Sequence, residues 1–308
     1  MAKFLKKVVF MLVPVLLFLV WLEMKARRDD QSVLAIQRDL LYEQSDQIEG
    51  LVFGTSQIKR AIDPASLEPK TATLALSAGY LRTGVGLLEQ ALKVTKPKFV
   101  LFEFSAGYLD TWNIDKWQQQ RKLFYYFGLP QSRQKLKDYF VMRSPLHRYL
   151  SPEPSGEEFN EYGFPLNLGN EKDAFASVNY DRDSIMLLRS TRRKIRQHNR
   201  GTLPQLRPLN EALLLDAIRW CRERNIHLVL LNPPKYYLYN QYLIDEHRQV
   251  QQDFIDKYVD GNYVHFWNFE SWQEEEPRFF YNVTHLNYEG AQRFTEEVNR
   301  QVLALLGE

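Results

Sequence analysis

Hydrophobic and polar positions along the chain alternate between short apolar runs and helical patterns. EGLVFGTSQ holds a brief apolar run that ends in a Gly-x-Ser turn, which predicts a strand at about 50–54. TATLALS at 71–77 and KFVLFEFS at 98–105 predict a second and a third strand. Between them, TGVGLLEQALKVT at 83–95 has helical spacing, with Thr83 as the start and Pro97 as a stop just beyond. NEALLLDAIRWCRERN, 210–225, reads as an amphipathic helix running into a fourth strand, HLVLLNPP. DEHRQVQQDFIDKYV, 245–259, is a further helix before a fifth strand, YVHFWNF, and the chain closes on the helical stretch 287–306. Strands alternating with helices predict an α/β fold with a mostly parallel sheet covered on both faces, three layers in one domain at 49–308. Residues 106–205 interrupt this rhythm and read as a largely helical insertion at the carboxyl ends of the strands, with pieces such as 115–128 and 133–144.

The amino end is different. VVFMLVPVLLFLVWL, residues 8–22, carries no charge and is flanked by Lys3, Lys6 and Lys7 on one side and Lys25, Arg27 and Arg28 on the other. Fifteen residues reach about 22 Å as a helix, short of a hydrocarbon core of about 30 Å, and snorkelling lysines can close the difference. Residues 1–28 are read as an uncleaved signal anchor, with a cleaved signal peptide and a buried helix as the alternatives. Residues 29–48 then form a polar helical connector. Charge supports the division: the whole chain is +2, yet residues 1–28 hold +5, which leaves −3 on the rest. Cys221 is the single cysteine, so an intramolecular disulfide framework and a multi-Cys zinc site are excluded. No metal or cofactor is suggested.

Candidate chemistry concentrates in two segments. Ser56 follows the first strand where the chain turns toward a helix, a place where free backbone N–H groups can hold an oxyanion. His285 precedes the last helix, with Asn287 available as its cap and Gly290 allowing close approach. Loops at these two positions can meet at one rim of a doubly wound sheet, bringing together a nucleophile and its base.

These segments resemble the SGNH (GDSL-type) hydrolase superfamily, in particular its membrane-anchored, DltD-like branch that acts in envelope polymer acylation. Gly54-Thr55-Ser56 with Ile62-Asp63-Pro64 is similar to the first block, LALSAGY (74–80) to the second, and THLNYEGA (284–291) to the last. The likeness covers about 49–105 and 207–306. It implies an SGNH/flavodoxin-like sheet and a serine esterase or O-acyltransferase acting on a cell-envelope or secreted glycan. Ser56 would be the nucleophile, His285 the base, and the N–H groups of Ser56 and Gly79 the oxyanion donors. It also implies a periplasmic domain on a single-pass inner-membrane anchor, and an integral-membrane O-acyltransferase partner. The sequence departs from the family pattern in three places. Asn282 stands where the family has Asp, Thr55 stands beside the nucleophile, and no Gly-x-Asn-Asp block follows the third strand. Asn282 can orient the imidazole, while Glu103 and Asp110 are candidates for a recruited acid; a scaffold that keeps the fold with a degraded site is the alternative function.

Three other features suit a binding surface. Lys235 and Tyr236, with Tyr237, follow the fourth strand and are candidates to contact an acyl or glycan substrate, against a packed loop. The run 187–200 is the densest basic stretch of the domain. Without a nucleic-acid-binding fold around it, nucleic acid is not expected as a partner; it reads as a solvated helix face or as a contact for an anionic polymer or lipid head groups. Trp112, Trp117, Phe124, Tyr125 and Tyr126 suit either sugar stacking or core packing.

Overall fold

The computed structural model describes residues 2–28, 32–77, 79–110, 123–124, 126–129, 158–167, 174–198 and 203–307. In chain order the helices and strands are α1 (Ala2–Arg28), α2 (Val33–Glu43), β1 (Gly50–Phe53), α3 (Ser56–Lys59), β2 (Thr71–Thr73), α4 (Leu81–Val94) and β3 (Phe99–Glu103). Within the later part of the insertion come α5 (Arg182–Leu187) and α6 (Arg189–His198), followed by α7 (Arg207–Glu223), β4 (His227–Asn232), α8 (Tyr237–Gln241) and α9 (Asp245–Tyr258). The chain ends with β5 (Val264–Asn268), β6 (Phe280–Asn282), β7 (His285–Leu286) and α10 (Tyr288–Leu306).

Five strands form one sheet in the order β2-β1-β3-β4-β5, every pair parallel. Alternate residues of each strand feed two apolar layers. Leu51, Phe53, Val100, Phe102, Leu228 and Leu230 pack on one face, with α2, α4, α7 and α9. Val52, Phe99, Leu101, Val229 and Leu231 pack on the other, under α3, the loop after β4, and α10. Burial on both faces is why these strands read as continuous apolar runs. The strand order reverses at β1, whose neighbours are β2 on one side and β3 on the other; in open α/β sheets the crevice at such a point, outside the carboxyl ends of the strands, is where ligands bind. Ser56 leaves β1 there.

The expected α/β architecture is present. The described parts of the insertion add short helical pieces; most of 115–128 and all of 133–144 lie outside the described residues, with Trp112, Trp117 and Tyr125. Of the remaining aromatics, Tyr126 is buried in the first apolar layer, so its ring is core and not a sugar platform. α1 is a continuous helix through Pro14. Its successive residues Phe10, Met11, Leu12 and Val13 are all exposed; at about 100° each they leave the helix apolar around its circumference. Among the described residues no helix is long and apolar enough to cross a membrane, and the charge-free part of α1 is confined to 8–22.

Candidate active site

The nucleophile turn is built by three residues. Gly54 has φ +155°, and a Cβ there would come within 2.6 Å of Glu103 Cβ and Oε2 and 2.5 Å of Ile58 Cγ2, so only glycine lets the chain turn this tightly over β3. Thr55 caps α3: its Oγ1 accepts from the Gln57 N–H at 3.2 Å. Glu103, the last residue of β3 and buried, accepts from the Thr55 N–H at 2.6 Å and from the Thr55 hydroxyl at 3.1 Å. Burial raises the Glu103 pKa; the Thr55 N–H, the Lys235 charge, the Thr55 hydroxyl and the Ile58 N–H oppose it. Glu103 therefore grips the turn from below, its carboxylate committed to Thr55. Ser56, first residue of α3, stands partly exposed on this support, and its own N–H has no protein partner among the described residues.

The base arrives from the other end of the chain. β6 and β7 form a small antiparallel hairpin that sets Asn282 opposite His285. Asn287 caps α10 by accepting from the Gly290 N–H at 2.9 Å. A Cβ on Gly290 would fall 2.1 Å from the Phe279 carbonyl oxygen, so that glycine lets α10 close against the segment leading into β6. With both ends fixed, His285 Nε2 lies 2.9 Å from Ser56 Oγ across 229 residues of sequence.

The proton positions follow from the donors around Asn282. The Thr284 N–H, which can only donate, points at Asn282 Oδ1 at 3.0 Å, so that atom is the acceptor end of the amide. The same oxygen is 3.0 Å from His285 Nδ1, so Nδ1 must carry the hydrogen. Nε2 is then left with a lone pair and accepts from the Ser56 hydroxyl, the arrangement a general base requires. The Thr284 hydroxyl, 3.2 Å from Asn282 Oδ1 and 3.1 Å from Nδ1, braces both partners. The structure thus brings Ser56, His285 and Asn282 together in one hydrogen-bonded line.

Other residues singled out in the sequence occupy different positions. The Gly79 N–H donates to the Leu76 carbonyl at 3.0 Å, closing a turn, and is not free to hold an oxyanion. Lys235 and Tyr236 are fully buried and offer no surface to a substrate. Lys235 Nζ donates to Ser105 Oγ at 3.2 Å, Asn232 Oδ1 at 3.0 Å and the Pro233 carbonyl at 3.0 Å, tying the loop after β3 to the loop after β4. Burial pushes its pKa down to about 8, against the pull of Glu270 and Glu103. Tyr236 packs between Phe175 and Phe280, and its N–H donates to the Val283 carbonyl at 3.1 Å, so it buttresses the histidine hairpin. Asp110 is committed to Arg207 and to His247 Nδ1 at 3.2 Å, away from His285. Thr284 and the gripping role of Glu103 escape a reading by motif. The signal for Glu103 is a charged residue in phase with Phe99 and Leu101 at the end of a buried strand. Burial of Cys221 pushes its thiol pKa up to about 12, which removes it as a nucleophile. Among the described residues no group of three or more His, Cys, Asp or Glu could hold a metal ion.

One family model, that of an uncharacterised family, matches residues 156–307. The match runs from the later part of the insertion to α10, and so contains His285 and Asn282 but not Ser56. No curated protein matches the chain.

Proposed function

We propose that this protein is a serine acyl esterase or O-acyltransferase of the SGNH type, acting on an acylated cell-envelope or secreted glycan. The observation that carries the reading is the 2.9 Å approach of Ser56 Oγ to a His285 ring whose Nδ1 hydrogen is held by Asn282. In this reading Ser56 Oγ bonds to the acyl carbon while its proton passes to His285 Nε2. The tetrahedral oxyanion is held first by the Ser56 N–H at the start of α3. The ester C–O bond then breaks, and the imidazolium returns the proton to the departing alcohol oxygen. Water completes hydrolysis; a sugar hydroxyl, deprotonated by the same imidazole, completes transfer. An integral-membrane O-acyltransferase is the proposed acyl supplier.

The same reading places the domain outside the inner membrane, periplasmic, with α1 as a short anchor whose lysines reach the head-group regions. Support comes from the apolar circumference of α1 and the basic residues flanking 8–22. Two observations favour a second reading, a catalytically degraded scaffold: the neutral Asn282 in the acid's place and the engaged Gly79 N–H. Fluorophosphonate labelling separates them. The enzyme reading expects the full-length protein to be labelled at Ser56 and Ser56→Ala to be inert with an unchanged melting temperature; a folded wild type that is neither labelled nor active on aryl esters leaves the scaffold.

A further inference from the structure

The charges of α6 are not balanced in the way the rest of the surface is. Many basic side chains elsewhere meet carboxylates: Lys98 with Glu49 at 2.6 Å, Arg222 with Asp260 at 2.6 Å, Arg207 with Asp110 and Glu246. α6 carries Arg189, Arg192, Arg193, Lys194 and Arg196, and among the described residues none of them pairs with a carboxylate. The contacts they do make are to backbone, Arg192 to the Met186 carbonyl and Arg196 to the Arg192 carbonyl. This happens in a domain whose net charge beyond residue 28 is negative. Five uncompensated cations on one short helix are a concentrated positive field.

The helix is also fixed to the fold. Thr191 is buried, and Leu188 and Ile195 pack against the apolar layer that underlies α3 and α10, so the helix is held on the face of the sheet that carries Ser56 and His285. Arg60 links it to the site. Its N–H donates to the Ser56 carbonyl at 3.2 Å, one helical turn from the nucleophile, and its guanidinium lies 5.3 Å from the ring centre of Tyr281, the residue before Asn282. Lys194 is near enough to feel both Arg193 and Arg60: burial and these two charges hold its pKa below the usual lysine range. A positive track therefore runs along α6 on the face of the sheet that carries the Ser56–His285 pair, with Arg60 beside the serine turn.

We infer that this track docks a polyanionic glycan, one bearing carboxylate or phosphate groups along its length, and aligns it so that an ester or hydroxyl reaches Ser56. The inference rests on the serine-acyltransfer reading for the role of the docked polymer, but the docking itself is independent of turnover. Binding is therefore measured with full-length Ser56→Ala protein in detergent, which keeps the surface and removes the nucleophile. The probes are polygalacturonate for carboxylate, linear polyphosphate for phosphate, and dextran as the neutral polymer. Binding to at least one polyanion and not to dextran is expected, weakening steadily with added salt; the preferred polyanion identifies the recognised group. Adding Arg193→Gln, Lys194→Gln and Arg196→Gln together should weaken that binding by about tenfold or more at low salt, since three of the cations on the track are removed. Arg193→Gln with Arg196→Gln, both exposed, repeats the test where packing is untouched, and Arg193→Lys with Arg196→Lys should restore it. Absence of polyanion binding, or binding indifferent to these variants, overturns the inference. So does binding that appears only on vesicles containing phosphatidylglycerol and vanishes in the triple variant, which would assign the track to lipid head groups. Failure of the catalytic reading shows separately, as a wild type that fluorophosphonate does not label.

Discussion

Asn282→Asp tests the chemistry of the site most directly, because it adds a charge with almost no change of shape. In the native arrangement Asn282 Oδ1 accepts from the Thr284 N–H, the Thr284 hydroxyl and the His285 Nδ1–H, at 3.0, 3.2 and 3.0 Å. All three donors suit a carboxylate oxygen as well as an amide oxygen, and Asn282 Nδ2 has no protein partner among the described residues, so replacing it by oxygen forfeits no hydrogen bond. A carboxylate about 4 Å from the imidazolium that forms during attack gains about 4 kcal/mol of Coulomb energy at an effective dielectric constant of 20. Asn282 is 6% exposed, so desolvating the new charge offsets part of this gain. A net of about 1–3 kcal/mol remains in favour of the protonated imidazole.

The assay is the fluorophosphonate labelling rate followed across pH. Below its pKa the imidazole is protonated and cannot accept the Ser56 proton, so the rate rises with pH through that value and then levels. Asn282→Asp should move the rise to higher pH and lift the plateau by about tenfold, up to about a hundredfold, because each 1.4 kcal/mol is a factor of ten. A plateau unchanged within about twofold, or a rise that stays where the wild type has it, refutes the reasoning: charge behind the histidine would then contribute nothing.

Two further variants test the scaffold. Gly54→Ala forces a Cβ into Glu103 and Ile58 at a φ of +155°; we expect about 3 kcal/mol of lost stability in denaturant unfolding together with lost labelling, and a fully stable variant would show that the turn is looser than described. Lys235→Met addresses the buried ammonium, whose pKa is about 8 in the fold against 10.5 in the ordinary range. Between those values the unfolded chain holds the proton that the folded chain has released, so this group makes stability rise with pH across that window. Unfolding curves should therefore show the wild type gaining on Lys235→Met from pH 8 to 10.5, and parallel pH curves would remove Lys235 from the explanation.

The sheet is legible in the sequence because a parallel strand buried on both faces has nowhere to place polar residues except its ends. The second strand illustrates what is less legible. The apolar run extends over 71–77, but the regular strand stops at Thr73; Leu74 and Leu76 continue to donate to the Val52 and Gly54 carbonyls at 2.7 and 3.0 Å as the chain leaves the ladder. Periodicity cannot see that divergence. Ser56 and His285 are legible because each lies at a strand-to-helix junction with its cap and glycine beside it. Lys235 is not. A lysine after two prolines reads as surface, and its burial depends on three acceptors: the Pro233 carbonyl in its own loop, Asn232 at the end of β4, and Ser105 in the loop after β3, 130 residues away. Gly79 fails for a similar reason: its residue type allows an oxyanion role, while the turn it sits in uses its N–H locally.

The placement of the site follows from where the strand order reverses. Because β2 and β3 flank β1 on opposite sides, the chain leaving β1 is not covered by a crossover, and the end of β3 is its nearest support. A carboxylate at the end of β3 can then grip the exposed N–H groups of the turn, which is what Glu103 does, and this requires a glycine beside it, which is Gly54. The nucleophile is thus held by residues local to the sheet. Its base is not, since His285 is delivered by a hairpin that depends on Tyr236, on Gly290 and on the packing of α10 over the second apolar layer. The Ser56–His285 approach is therefore more sensitive to loosening of α10 than the sheet is. Variants that loosen α10 should abolish labelling of Ser56 before they unfold the sheet, whereas variants in α2 or α4, on the opposite face, should lower stability with labelling intact until the domain melts.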